Sequence, residues 1–244
     1  MSSKYLTIKQ TAEMIGVDTD TLRRWDENGQ FKATRGENNY RYYNIGDVEK
    51  YIKNNPKDLF RMAKNWAVGS LETVPDKSYY CQDSYIFQSR FIKLEQELSK
   101  IENIKDFFSL ISLVTGEIGN NSFDHNLGNW PDVPGIFFAY DLKKREIILA
   151  DRGQGILTTL KKVKPGLTDH QEALKVAFTE IISGRSPESR GNGLKVIKEV
   201  ISKNEISLIF QTGDALLEMQ KNNPELNITK TNNYLQGCLA LIKF

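Results

Sequence analysis

The chain has 244 residues, 39% hydrophobic and 26% charged, with a formal net charge of +2, a balance that suits one large globular domain or two unequal ones. No run of about 18 apolar residues exists to cross a membrane, and Met1–Lys4 leads into a polar stretch without the apolar heart of a signal peptide. Cys81 and Cys238 are far apart and fit no metal-ligand spacing, so reduced thiols and a cytoplasmic setting are expected, and the near-neutral charge makes any nucleic-acid surface a local one.

Thr7 reads as the N-cap of a helix through Ile15, with Ile8, Ala12 and Ile15 on one side. Gly16 ends it. Asp18 or Thr19 starts a second helix with Leu22 and Trp25 facing inward, closed by Gly29. Residues 31–43 read as a β-hairpin turning at Gly36-Glu37-Asn38-Asn39, with Tyr42 directed to the core, and Gly46-Asp47 opens a last helix through Ile52. The polar cluster Asn54–Asp58, interrupted by Pro56, marks a boundary. It divides a small unit, 1–56, from a larger one, 57–244, whose first part, 57–103, is an extension.

In the larger unit, apolar spacing predicts helices from about Tyr85 to Ile101 and from Ile104 to His125, then strands at Gly135–Tyr140 and Glu146–Ala150. A long irregular stretch over 156–190 carries a helical piece near 169–183. Another helix begins near Gly193, and strands at Glu205–Thr212 and Leu235–Phe244 close the chain. The fold class is α+β, with helices on one face of a mixed, mainly antiparallel sheet. The aromatic-then-charged stretch Tyr79–Glu97 reads as a core-facing amphipathic helix, with a partner or dimer surface as the alternative.

Residues 5–52 resemble the winged helix-turn-helix of the MerR and excisionase group. The resemblance rests on Leu6-Thr7-Ile8, Ala12, Ile15-Gly16-Val17, Thr21-Leu22-Arg23-Arg24-Trp25, Gly29 and Tyr40-Arg41-Tyr42-Tyr43. It implies DNA as partner. The helix from Thr19 would enter the major groove, offering Thr21, Arg23 and Arg24 to phosphates or base edges. Arg35, Asn39, Arg41 and Tyr42 of the wing would clamp neighbouring phosphates. It also implies a homodimer on two half-sites. The alternative is that these arginines only solvate a small surface.

Three further segments carry a second chemistry. Glu117, Asn121 and His125 are four apart and share a helix face. Asp151-Arg152-Gly153-Gln154-Gly155-Ile156 sets an Asp at a strand end before two glycines, which let backbone approach a flat ligand. Arg190-Gly191-Asn192-Gly193-Leu194 opens a helix whose free N–H groups suit phosphate. In this order the three resemble the N, G1 and G2 boxes of the GHKL ATPase superfamily, and no Walker A pattern is present.

The resemblance implies a Bergerat-type α/β sandwich binding Mg²⁺ and ATP. Asn121 would ligate Mg²⁺. Asp151 would accept the adenine amine, with Gly153, Gly155 and Ile156 around the base and ribose. Arg190, Gly191, Gly193 and Leu194 would meet the phosphates, and residues 157–190, with Ser183–Ser186, would form a lid. Glu117 stands where a general base would polarise water or a protein hydroxyl. Cys238 follows Gly237 where members of the superfamily often carry Thr. His125 and His170, the only histidines, lie on no phosphoacceptor hairpin. The expected function is an ATP-tuned DNA-binding regulator; the alternative is a serine/threonine kinase acting on a small protein partner. A serine recombinase would need a catalytic Ser with several Arg after residue 57, and no such set is found.

Overall fold

The computed structural model describes residues 4–15, 17, 19–36, 39–54, 58–69, 75–181 and 193–244. It divides into two compact units, Met1–Asn65 and Trp66–Phe244. The division falls later than the Pro56 cluster because a helix that sequence reading had not placed, α4 (Leu59–Val68), runs across it. Among the described residues no helix is long and apolar enough to cross a membrane.

The first unit holds β1 (Tyr5–Thr7), α1 (Ile8–Ile15), α2 (Thr19–Glu27), β2 (Thr34–Arg35), β3 (Arg41–Asn44) and α3 (Ile45–Asn54). A reciprocal capping box fixes the start of α1. The Gln10 N–H donates to Thr7 Oγ1 at 3.3 Å, and the Thr7 N–H donates to Gln10 Oε1 at 3.0 Å. The sheet order is β1-β3-β2, all antiparallel. The expected hairpin is β2–β3; β1 is an addition. Ala12, Ile15, Val17, Leu22, Trp25, Tyr43 and Val48 form the core. Tyr43, not Tyr42, is the buried member of β3, because alternate residues of a strand face opposite sides. Its hydroxyl donates to the Leu22 carbonyl at 3.3 Å, and its ring stacks on Phe31 at 5.3 Å.

The second unit is built on a five-stranded antiparallel sheet, β4 (Tyr80–Cys81), β5 (Ile136–Asp141), β6 (Glu146–Asp151), β7 (Ser207–Met219) and β8 (Asn227–Lys243), in the order β4-β5-β6-β8-β7. Among the described residues it is accompanied by α5 (Ser84–Leu98), α6 (Phe108–Asn126), α7 (Gly155–Lys161), α8 (His170–Thr179) and α9 (Gly193–Lys203). Asp83 caps α5 by accepting from the Ile86 N–H at 2.9 Å. The main core joins Phe87, Leu94 and Leu98 of α5, Ile111, Val114 and Ile118 of α6, Leu174 and Phe178 of α8, and Ile197 and Ile201 of α9 to one face of the sheet.

On that face stand Ile136 and Phe138, Ile147 and Leu149, Leu208 and Phe210, and Ala240 and Ile242. The alternate residues Phe137, Ala139, Ile148, Ala150, Leu239 and Leu241 are buried as well, and Phe137 packs against Trp66 and Tyr79. Both faces of the sheet are therefore covered, which is why its inner strands read as unbroken apolar runs. Three expectations change. The described part of the 156–190 stretch, 156–181, is not largely irregular: α7 and α8 share a satellite core of Leu157, Leu160, Leu167, Ala173 and Val176. The final strands are longer than periodicity indicated, because β7 and β8 pair with each other beyond the core, past a bulge at Thr212–Ala215. Helix α8 ends at Thr179, where Glu180 turns to extended backbone.

Candidate functional site

In the first unit α2 carries the candidate DNA-reading residues. Arg23 and Arg24 are exposed and Thr21 is half-buried; Arg23 forms an ion pair with Asp20 one turn earlier. The wing arginines are engaged elsewhere. Arg41 Nε (2.7 Å) and Arg35 Nη2 (2.5 Å) both donate to Oδ2 of Asp26, whose Oδ1 accepts from the Ala33 N–H at 2.9 Å. Arg41 also reaches Glu27 at 3.2 Å. Asp26 is only 7% exposed. Burial pushes its carboxyl up, but the Ala33 N–H, the Arg41 hydrogen bond and the two guanidinium charges together hold it below the usual range. Asp26 thus ties α2 to the wing. Asn39 is exposed with φ +61°, and Tyr42 is half-buried.

In the second unit the sequence candidates gather around the end of β6. Asp151, 2% exposed, completes the core-side row of that strand. Ser122 of α6 donates its hydroxyl to Oδ2 at 2.8 Å, and the Gly153 N–H donates to Oδ1 at 2.8 Å. Burial pushes the Asp151 carboxyl up to about 6, against the lowering effect of hydrogen bonds from Ser122 and the N–H groups of Gly153 and Cys238. The neighbouring strand closes in. A Cβ at Gly237 would lie 2.2 Å from the Asp151 carbonyl oxygen and 2.4 Å from Oδ1, so only glycine fits there.

The loop after Asp151 is held from α6 and β7. The Gln154 N–H donates to Asn126 Oδ1 at 2.8 Å and Gln154 Nε2 to the His125 carbonyl at 2.9 Å. Asn126 is itself fixed by donating to the Ser122 carbonyl at 2.8 Å. Gly155 has φ +74°, the left-handed region that glycine adopts without strain. The Ile156 N–H then donates to Thr212 Oγ1 at 3.2 Å. Ile156 and Leu194 are partly buried and pack against the main core.

Helix α9 begins beside the Glu117–Asn121 face of α6. A Cβ at Gly193 would lie 2.3 Å from Glu117 Oε2 and 3.3 Å from Asn121 Nδ2. The site therefore brings Glu117 and Asn121 to Gly193, and Asp151 to Gly153. Arg190, Gly191, Asn192 and Ser183–Ser186 lie outside the described residues. Among the described residues no cluster of three His, Cys, Asp or Glu side chains could hold a metal by itself. His170, at the start of α8, is bonded through Nδ1 to Asp214 at 2.8 Å. Burial pushes both cysteine thiols up, Cys81 to about 11 with Arg90 opposing, and Cys238 well above its usual value with the Asp151 charge adding.

Three residues of this site escaped sequence reading: Ser122, Asn126 and Thr212, ordinary polar residues whose role depends on which elements meet. Gly237, noted in the sequence only as the residue before Cys238, proves to be the strand glycine that lies against Asp151.

With this geometry in place, residues 7–43 match the family model described as MerR family regulatory protein. The first unit thus contains a MerR-type DNA-binding regulatory domain. Over 67 residues the chain is also 33% identical to the Type II methyltransferase M.Eco47II of Escherichia coli, covering 27% of this chain and 15% of that protein. The chain therefore spans only a small part of that relative's length.

Proposed function

We propose that the second unit is a GHKL-type domain of Bergerat fold that binds Mg·ATP, and that nucleotide state tunes DNA binding by the MerR-type domain. The carrying observation is Asp151: a buried carboxylate that receives only neutral donors, ringed by glycines whose missing side chains leave room for close approach. Asp151 would accept the adenine amine. Its oxygens keep acceptor capacity beside the Ser122 and Gly153 bonds. Gly153, Gly155 and Ile156 would frame base and ribose. Gly193 and Leu194, with Arg190 and Gly191, would present the start of α9 to phosphate.

Asn121 would offer an amide oxygen to Mg²⁺, an ion that favours oxygen ligands, keeps waters and draws the rest of its shell from phosphate. Bound Mg²⁺ would neutralise phosphate charge. On the DNA side, Thr21, Arg23 and Arg24 would read the major groove, while Asn39, Tyr42, Arg35 and Arg41 would flank it, the last two through whatever donors Asp26 leaves them. A cytoplasmic homodimer on paired half-sites is part of the proposal. Glu117, whose carboxylate stands beside Gly193, favours a second reading: as general base it would direct the γ-phosphate to water or to a hydroxyl of a protein partner.

Calorimetry of Mg·ATP with the wild type and Asp151→Asn tests the pocket; binding by the first and at least tenfold weaker binding by the second is expected. DNA affinity in the apo, ADP and ATP-analogue states tests the tuning, and equal affinities in all three overturn it. Transfer of labelled γ-phosphate to a protein hydroxyl, lost in Glu117→Ala, would select the second reading.

A further inference from the structure

Arg152 follows Asp151 directly but serves a different neighbourhood. It is 5% exposed, a costly place for a permanent charge. It forms an ion pair with Asp132 and donates to the Gly69 carbonyl at 2.5 Å, and its guanidinium carbon stands 5.9 Å from the centroid of the Trp66 ring. Trp66 packs in turn on Phe137 of β5. Two of these partners, Trp66 and Gly69, lie at the C-terminal end of α4, the helix that begins in the first unit and ends in the second. A buried apolar side chain would stabilise the same spot at lower desolvation cost. What the arginine adds is a directional link between the Asp151 loop and the helix leading to the DNA-binding domain.

We propose that Arg152 is the coupling residue of this protein. Movement of the Asp151–Gly155 loop on nucleotide binding is passed by the Arg152 guanidinium to Gly69 and Trp66, shifts the end of α4, and thereby changes DNA affinity. This inference rests on the ATP-binding reading above. It requires two arrangements of one physical link, biased by ligand at one end and read out at the other. Arg152 touches neither ligand; it is a positioning residue.

The test uses the full chain, an unhydrolysable ATP analogue with Mg²⁺, and a DNA duplex selected by binding. Three quantities are measured in the wild type, Arg152→Lys, Trp66→Leu and Trp66→Phe: analogue affinity, DNA affinity with and without analogue, and amide hydrogen exchange over residues 59–69. In the wild type the analogue should change DNA affinity about tenfold and alter exchange over 59–69. In Arg152→Lys and Trp66→Leu, analogue affinity and apo DNA affinity should stay within about threefold of the wild type, while the analogue-induced change in DNA affinity falls below about twofold and the exchange response disappears. Trp66→Phe, which keeps an aromatic face, should retain most of the response. If Arg152→Lys does not fold, Trp66→Leu decides alone. Variants that bind the analogue and keep the full response overturn the coupling role and leave the pocket intact. A wild type that binds no analogue overturns the pocket, and the coupling role with it.

Discussion

Each unit of this protein carries a nearly inaccessible aspartate, and the two are treated in opposite ways. Asp26 is met by two guanidinium groups and a backbone N–H and is held below the usual carboxylate range. Asp151 is met by one hydroxyl and backbone N–H groups and is pushed up to about 6. The guanidinium nearest in sequence, Arg152, is turned instead to Asp132. Counter-charge at Asp26 makes a structural tie between α2 and the wing. Its absence at Asp151 leaves a carboxylate whose burial is only partly compensated, among glycines at a strand end, the pattern expected where a ligand supplies the remaining partners.

The largest effect that would break this contrast comes from filling the glycine positions. Gly237→Ala sets a methyl against the Asp151 backbone and carboxylate, where nothing can move cheaply. Loss of nucleotide binding and destabilisation of the second unit by roughly 2–3 kcal/mol are expected, read by calorimetry and thermal melting. Gly193→Ala is the control. Its methyl meets the far end of the flexible Glu117 side chain, so stability should change by less than about 1 kcal/mol while nucleotide affinity falls. Equal losses in both variants would mean that the Asp151 surroundings are no more constrained than the rest.

The next effect is titration. Asp151 binds its proton more tightly folded than unfolded, so its contribution to stability falls as pH rises from about 4 to about 6 and stays low above. Acidification from pH 7 to pH 5 should therefore stabilise the second unit, by about 1 kcal/mol, and weaken nucleotide binding as the acceptor is protonated. Asp26 has the opposite sign: its contribution is present above about pH 4 and is lost as pH falls through its depressed value. Melting transitions of the two units that moved together across pH 7 to 5 would erase the distinction.

Smaller effects separate structure from recognition within the first unit. Asp26→Asn leaves Arg35 and Arg41 without their shared counter-charge and should cost the first unit about 2 kcal/mol. Arg24→Ala, on the exposed side of α2, should leave stability within about 0.5 kcal/mol. It should weaken DNA binding several-fold and lower the salt slope by roughly one. An Arg24→Ala protein with unchanged DNA affinity would remove that residue from the interface.

Local signals were legible from sequence wherever a residue's own chemistry decided its place. The N-cap at Thr7, the helix carrying Leu22 and Trp25, the Asp at the end of β6 and the glycine opening α9 all follow from short-range geometry. Residues 5–52 could be read as a winged helix-turn-helix for the same reason, and the family model matches 7–43 of them. Periodicity and cap signals placed seven of the described helices to within about four residues and β5 and β6 to within one, because amphipathic spacing is a local property; β7 and β8 were placed only in their apolar halves.

Tertiary structure decided the partners. Nothing local says that Arg35 and Arg41 converge on Asp26, since the three are brought together by the wing folding back on α2. Ser122, Asn126 and Thr212 gain their roles only when α6 and β7 meet the loop after β6. The short strands β1 and β4 exist because a neighbouring strand supplies their hydrogen bonds, and β7 and β8 outrun their apolar stretches because they pair with each other. Sequence determines what each side chain can do. Which long-range contacts satisfy a buried charge or a backbone group is set by the packing of elements distant along the chain, because that energy exists only once those elements meet.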